Sequence, residues 1–210
     1  MVSLKSTLLA QLFPQITSME AAPPTGKPQI EREHVFYGRL VDPDELEKAD
    51  SREHQEQWSL YINQDGVGYD GTIRIRVVDQ RQYILTVKTS VKKSYDKIET
   101  EYELPPKLGA VLLDQFKRLC PRGLSKTRYC FRVPASDLVW EVDVFEGPNG
   151  KPAEWVKLDL EVKDRQAEIP PFPIRLRGTC TLDPANNKDD EARATQLYEH
   201  DWAVVSPYAT

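Results

Sequence analysis

The sequence predicts an α+β fold: an antiparallel sheet or barrel of about eight strands, with a few helices packed outside it. Three observations predict it. From residue 29 onward, segments that alternate apolar and polar residues, or that are rich in Val, Ile, Tyr and Trp, recur at short spacing. Helical periodicity is sparse by comparison. The polar positions of the strands carry charges sorted by sign, strand by strand.

In chain order, Leu4, Leu8, Leu9 and Leu12 form one stripe of a short amphipathic helix over residues 3–13. Residues 21–28 hold three prolines, which forbid a regular helix and read as a linker. Residues 1–28 are thus an N-terminal appendage, packing on the domain or binding a partner. Strands are expected over 29–41, 58–63, 71–78, 82–89, 97–104, 127–133, 138–145 and 155–163. A charged, helix-like stretch over 43–56 starts after Asp42 and Pro43. The best helix is 106–119, entered through Pro105 and Pro106 and stopped before Pro121. A third helix falls over 188–199, in an acidic C-terminal region, 179–210, that packs on the barrel. The main domain is 29–178.

Composition bounds the function. A chain of 210 residues holds one domain, and 40% hydrophobic content is enough for a core. No stretch approaches the ~20 apolar residues that span a bilayer, so no membrane association is expected. Gly 10 and Pro 16, without a period, exclude a collagen-like chain. A net charge of −5 and a pI near 5.4 give no sign of a duplex-DNA-binding face. Cys120, Cys130 and Cys180 are odd in number and lack metal spacing, as in a reduced, cytoplasmic protein, and Cys120 and Cys130 read as small core residues. His34, His54 and His200 have no metal spacing either, and Lys92 and Lys93 read as a solvated turn, with a lid reaching a phosphate as the alternative. No Gly-rich phosphate loop or Ser-His-Asp arrangement is visible.

The charge pattern carries the functional reading. Glu31 and Glu33, Arg74 and Arg76, Glu101 and Glu103, Lys126 and Arg128, Glu141 and Asp143, and Asp159 and Glu161 are like-charged pairs two residues apart, with Lys88 ending Y-I-L-T-V-K. Residues two apart on a strand share a face, so each strand has one charged and one mostly apolar face. A solvated sheet face shows the same alternation. Same-sign neighbours repel, however, and solubility gives no reason to sort five cations and eight carboxylates by strand. A closed barrel with this face inward is a charged tunnel, which needs charged ligands. Cations suit a polyanion, and carboxylates suit a hard divalent cation. A polyphosphate with Mg²⁺ or Mn²⁺ meets both demands.

The order of these pieces resembles the CYTH superfamily, the triphosphate tunnel metalloenzymes. Q-I-E-R-E at 29–33, I-R-I-R at 73–76, T-V-K at 86–88, E-Y-E at 101–103, K-T-R-Y at 126–129, E-V-D-V-F at 141–145, L-D-L-E-V at 158–162 and I-P-P at 169–171 occur in family order. The flavour is that of small bacterial tripolyphosphatase-like members. The resemblance implies a tunnel-like eight-stranded β-barrel that hydrolyses the terminal phosphate of a triphosphate, either tripolyphosphate or a nucleoside or RNA 5′-triphosphate, with Mg²⁺ or Mn²⁺. It implies triphosphate binding by Arg74, Arg76, Lys88, Lys126 and Arg128, and metal binding by Glu31, Asp159 and Glu161. Glu101, Glu103, Glu141 and Asp143 match further tunnel acids that hold a second metal or orient basic side chains. Glu31, Glu161 and Lys88 are the catalytic candidates.

Two departures stand out. The family opens with Glu-x-Glu-x-Lys, whereas this chain reads Gln29-x-Glu31-x-Glu33, or Glu31-x-Glu33-x-Val35 in the alternative register. The C-terminal basic position of many members has no match. They favour an alternative class, a non-catalytic nucleotide- or polyphosphate-binding protein or one that docks a partner through residues 1–28. A nucleotidyl cyclase is the third reading. Monomer and homodimer stay open.

Overall fold

A computed structural model describes residues 28–64, 69–90, 96–120, 123–147, 150–164, 166 and 168–181. The helices expected over 3–13 and 188–199, and the turn holding Lys92 and Lys93, lie outside the described residues. The described chain forms ten strands, β1 (Gln29–Glu31), β2 (Glu33–Leu40), β3 (Ser51–Gln64), β4 (Tyr69–Val78), β5 (Gln82–Ser90), β6 (Lys97–Leu104), β7 (Gly123–Arg132), β8 (Val139–Glu146), β9 (Pro152–Glu161) and β10 (Leu176–Thr181). A 3-10 helix (Pro43–Lys48) follows β2, and helix α1 (Pro106–Leu119) separates β6 from β7.

All ten strands belong to one antiparallel sheet, in the order β1-β6-β5-β4-β3-β7-β8-β9-β2-β10. The fold is therefore mostly antiparallel sheet with few helices, as expected, but the sheet has ten strands and is not closed. The physical reason lies at Arg32. The segment expected as a single strand divides there, and its two parts pair at opposite ends of the sheet: β1 with β6, β2 with β9. One residue thus brings the two ends side by side and rolls the sheet. Arg32 fastens this seam: its carbonyl accepts from the Val162 amide at 2.8 Å and its Nε reaches Asp96 Oδ2 at 3.1 Å.

The charged stretch expected over 43–56 divides as well. Pro43–Lys48 is the 3-10 turn, with Asp42 Oδ1 accepting from the Asp44 amide at 3.1 Å. From Ser51 the chain is β3, paired along its length with β4 or β7, and this pairing overrides the weak helical preference of S-R-E-H-Q-E-Q. Strand β10 was not expected at all. Its six residues include Gly178 at φ 66° beside a register shift, so they show no clean alternation.

The apolar strand faces lie on the outside of the roll and are covered in two places. Leu108, Leu112 and Phe116 of α1, one helical turn apart, pack on Ile73, Ile75, Leu85 and Val87. Lys117 and Arg118 in the last turn of α1 suit its dipole. The second core joins Trp140, Val142, Val156, Leu158 and Leu160 under Leu46 and Ile174. There Phe36, Trp140 and Phe172 meet edge to face with centroids 5.1–5.9 Å apart. Covering the outside with apolar residues leaves the charged face of the strands turned inward. No helix among the described residues is long and apolar enough to cross a membrane, which says nothing of strands.

Candidate functional site

The inner face is built column by column. Strand β3 contributes a column without cations: Glu53, Gln55, Gln57 and Ser59. In register beside it on β4, Arg76 pairs with Gln57 and Arg74 with Ser59. On its other side, on β7, Lys126 pairs with Gln55 and Arg128 with Glu53. Two cationic columns therefore flank one polar column, and carboxylates lie outside each.

On the β4 side, Arg76 Nη2 sits 2.5 Å from Glu101 Oε1, which also accepts from Thr86 Oγ1 at 3.0 Å. Arg74 Nη2 reaches Glu101 and Glu99 at 3.8 and 3.9 Å. The Lys88 ammonium lies 2.6 Å from both Glu31 Oε1 and Glu99 Oε2. On the β7 side, Asp143 is fully buried between Lys126, which contacts its Oδ2, and Arg128, which grips it in a fork at 2.7 and 2.8 Å. Arg128 also contacts Glu141. Lys157 Nζ is 2.5 Å from Asp159 Oδ2, and Lys97 Nζ is 2.6 Å from Glu33 Oε1.

Titration follows from this crowding. Burial would raise Asp143, but Lys126 and Arg128 hold it far below the usual carboxylate range. Burial also opposes ionisation of Glu33, yet Lys157, Lys97 and Lys88 bring it down to about 2. Lys126 is pushed down to about 7 by burial, with Arg128 and Lys157 adding to the effect and Asp143 opposing it. Burial raises Glu31 and Glu161. Glu33 and Glu99 add repulsion at Glu31, and Glu31 and Glu99 add it at Glu161. Burial likewise raises Glu141 and Asp159, each with help from neighbouring carboxylates.

The structure thus brings Glu31, Arg74, Arg76, Lys88, Glu101, Lys126, Arg128, Glu141, Asp143 and Asp159 onto one face. Glu161 sits exposed at the rim, yet close enough to feel Glu31 and Glu99. Glu103 continues the Glu99 and Glu101 row to its exposed end. Reading the sequence had not singled out Glu99, Lys97 or Lys157. Glu99 and Lys157 were available from the same two-residue alternation, one step before Glu101 and Asp159. The glutamines of β3 carry no charge, and the strand starts ahead of the alternation that marks it in the sequence. A third group gathers on the outer face: His54 Nε2 is 2.9 Å from Ser125 Oγ, which donates to Glu146 Oε2 at 2.7 Å.

Among the described residues, no three His, Cys, Asp or Glu side chains are drawn together as a finished metal cage. The donors nevertheless suit a hard divalent cation. Glu31, Glu99 and Glu161 repel one another, and Glu31 Oε2 is buried without a hydrogen-bond partner. At present the Lys88 ammonium neutralises that cluster.

No protein-family model matches this chain, and no curated protein matches it. Two solved structures of NE1496 resemble it. One, described as a hypothetical protein, is 19% identical, covering 78% of this chain and 97% of that one, with a TM-score of 0.41. The other, described as an inorganic triphosphatase, is 20% identical, covering 78% and 93%, with a TM-score of 0.41. At that identity and score the likeness carries no argument about substrate. Fold and site themselves define a class: a rolled antiparallel sheet whose concave face pairs cationic columns with carboxylate margins.

Proposed function

We propose that this face binds a triphosphate, carried by a small molecule or an RNA 5′ end, and hydrolyses its terminal phosphate with Mg²⁺ or Mn²⁺. One observation supports this above the rest. Arg74 and Arg76 stand across β3 from Lys126 and Arg128, a spacing that lets cations approach a linear polyanion from two sides. Guanidinium forks would hold the non-transferred phosphates, and Lys88 would leave Glu31 and Glu99 to meet the terminal one. Glu31 and Glu161, with Glu99 beside them, would hold the metal. Bound there, the metal would offset phosphate charge and acidify a water. Hydrolysis breaks the bond between the terminal phosphorus and its bridging oxygen. The water oxygen stays on orthophosphate, and a carboxylate of this cluster takes the water proton.

The test is phosphate release from tripolyphosphate and ATP with each metal, compared with Glu161→Gln. Metal-dependent release that falls at least ~100-fold in the variant supports the reading. Tight binding without turnover moves the chain to the non-catalytic class, which the Gln29 and Glu33 departures favour. Cyclic nucleotide and pyrophosphate from ATP would identify a cyclase.

A further inference from the structure

Resting on the triphosphate reading, we infer that Gln55 and Gln57 are specificity residues that select an organic triphosphate, one with N–H or O–H donors on a flat apolar group, over inorganic tripolyphosphate.

Gln55 is 1% exposed, and its Oε1 is buried without a hydrogen-bond partner. Its amide nitrogen donates to Glu53 Oε1, which fixes the orientation and leaves the carbonyl oxygen as the open end. Gln57 Oε1 is also buried and unpartnered. A buried acceptor without a donor is costly, so two in adjacent inward positions of one strand mark a place for a donor. Phosphate oxygens only accept and cannot satisfy them. A cation is disfavoured, because Gln57 stands beside Arg76 while Gln55 stands beside Lys126. A neutral donor fits.

The neighbours in register supply a second observation. Val78 lies across from Gln55, Leu124 from Gln57, Ile84 from Arg76 and Phe145 from Lys126. Val78 and Leu124 are buried at 6% and 8% exposure, yet belong to neither outer core. The inward glutamine carbonyls therefore sit among apolar side chains, next to the cations that would hold the phosphates. That combination suits the chemistry of a nucleoside triphosphate. A site built to hydrogen-bond such a donor discriminates strongly against a ligand without it.

The experiment is calorimetry on the full chain with Mg²⁺, titrating β,γ-methylene analogues of the four ribonucleoside triphosphates and of tripolyphosphate. At least one nucleotide should bind 10-fold or more tighter than the tripolyphosphate analogue, as a rough expectation from donor–acceptor discrimination. Gln55→Met and Gln57→Met should each erase roughly 10-fold of that preference and leave tripolyphosphate affinity unchanged. The second, less buried position serves if the first variant fails to fold. Tripolyphosphate binding as tightly as every nucleotide, or variants that weaken both ligands alike, overturns the inference while leaving the triphosphate site standing. Binding of neither class overturns the site itself, and the inference with it.

Discussion

Lys88 occupies the point where three demands meet. Its ammonium is 2.6 Å from carboxylates of two different strands, and those carboxylates are the natural metal donors. Under the proposed function a bound phosphate would draw on the same side chain. Metal and triphosphate would then help each other: metal entry would free Lys88, and phosphate would draw it away from the metal donors. Linkage makes the help reciprocal. Lys88→Met should raise the affinity of the ligand-free protein for Mn²⁺, on the order of 10-fold, because a competing cation is gone. It should also weaken triphosphate binding and reduce the coupling between the two ligands. Titration of Mn²⁺ by calorimetry or electron paramagnetic resonance, with and without tripolyphosphate, measures all three. Unchanged Mn²⁺ affinity in the variant would remove Lys88 from this role. Much of this was legible in the sequence, because Lys88 and its cationic and acidic neighbours follow a two-residue rule on strands. Which acid meets which base was not, since Lys88 with Glu31 is a contact between residues far apart in the chain that only the rolled sheet creates.

At the scale of elements, α1 was legible to the residue. Prolines mark its start, and a 3.6-residue apolar stripe runs through it. Its packing carries a constraint that propensity hides. Gly109 lies in the helix, where alanine would ordinarily be favoured by about 1 kcal/mol. A Cβ there would fall 2.2 Å from Tyr83 Cγ on β5. Gly109→Ala should therefore destabilise the protein by ~1–3 kcal/mol, as overpacking does. Thermal unfolding followed by circular dichroism checks it, and a stabilised variant would show that Tyr83 swings clear. The strands were less legible at their ends. β3 begins seven residues before its expected start at Trp58, because partners on both sides extend it through a polar segment. The missing signal is general: strand pairing is non-local, and polar residues facing inward do not advertise burial.

For the whole molecule, the inner face makes stability rise with pH at both ends of the scale. Glu33 has its proton affinity lowered on folding, to about 2. Its contribution is present above the unfolded value near 4.5 and is lost as pH falls from there toward 2. Lys126 is also lowered, to about 7, from 10.5 unfolded. Between those values the unfolded chain binds more protons than the folded one, so stability rises as pH rises through that window. Without polyphosphate, the melting temperature should climb from pH 7 to pH 10, by an amount worth up to a few kcal/mol. Lys126→Met should flatten the climb. A bound polyanion should restore the proton to Lys126 and take up about one proton per ligand near pH 8, readable from binding heats in two buffers. A flat alkaline profile in the unsubstituted protein would show Lys126 to be fully charged there.

The one-residue seam at Arg32 has a consequence for how this protein tolerates change. Strand side chains keep count in twos, and Arg32 preserves that count while the chain changes partners. Glu31 and Glu33 consequently both contact lysines across the sheet, although they serve opposite ends of it. Inserting or deleting a single residue here would break the count. Either Glu31 or Glu33 would turn outward, or β1 would slip by one against β6 and expose its other face. A length change that most loops absorb would thus alter the charge lining where the two ends of the sheet meet.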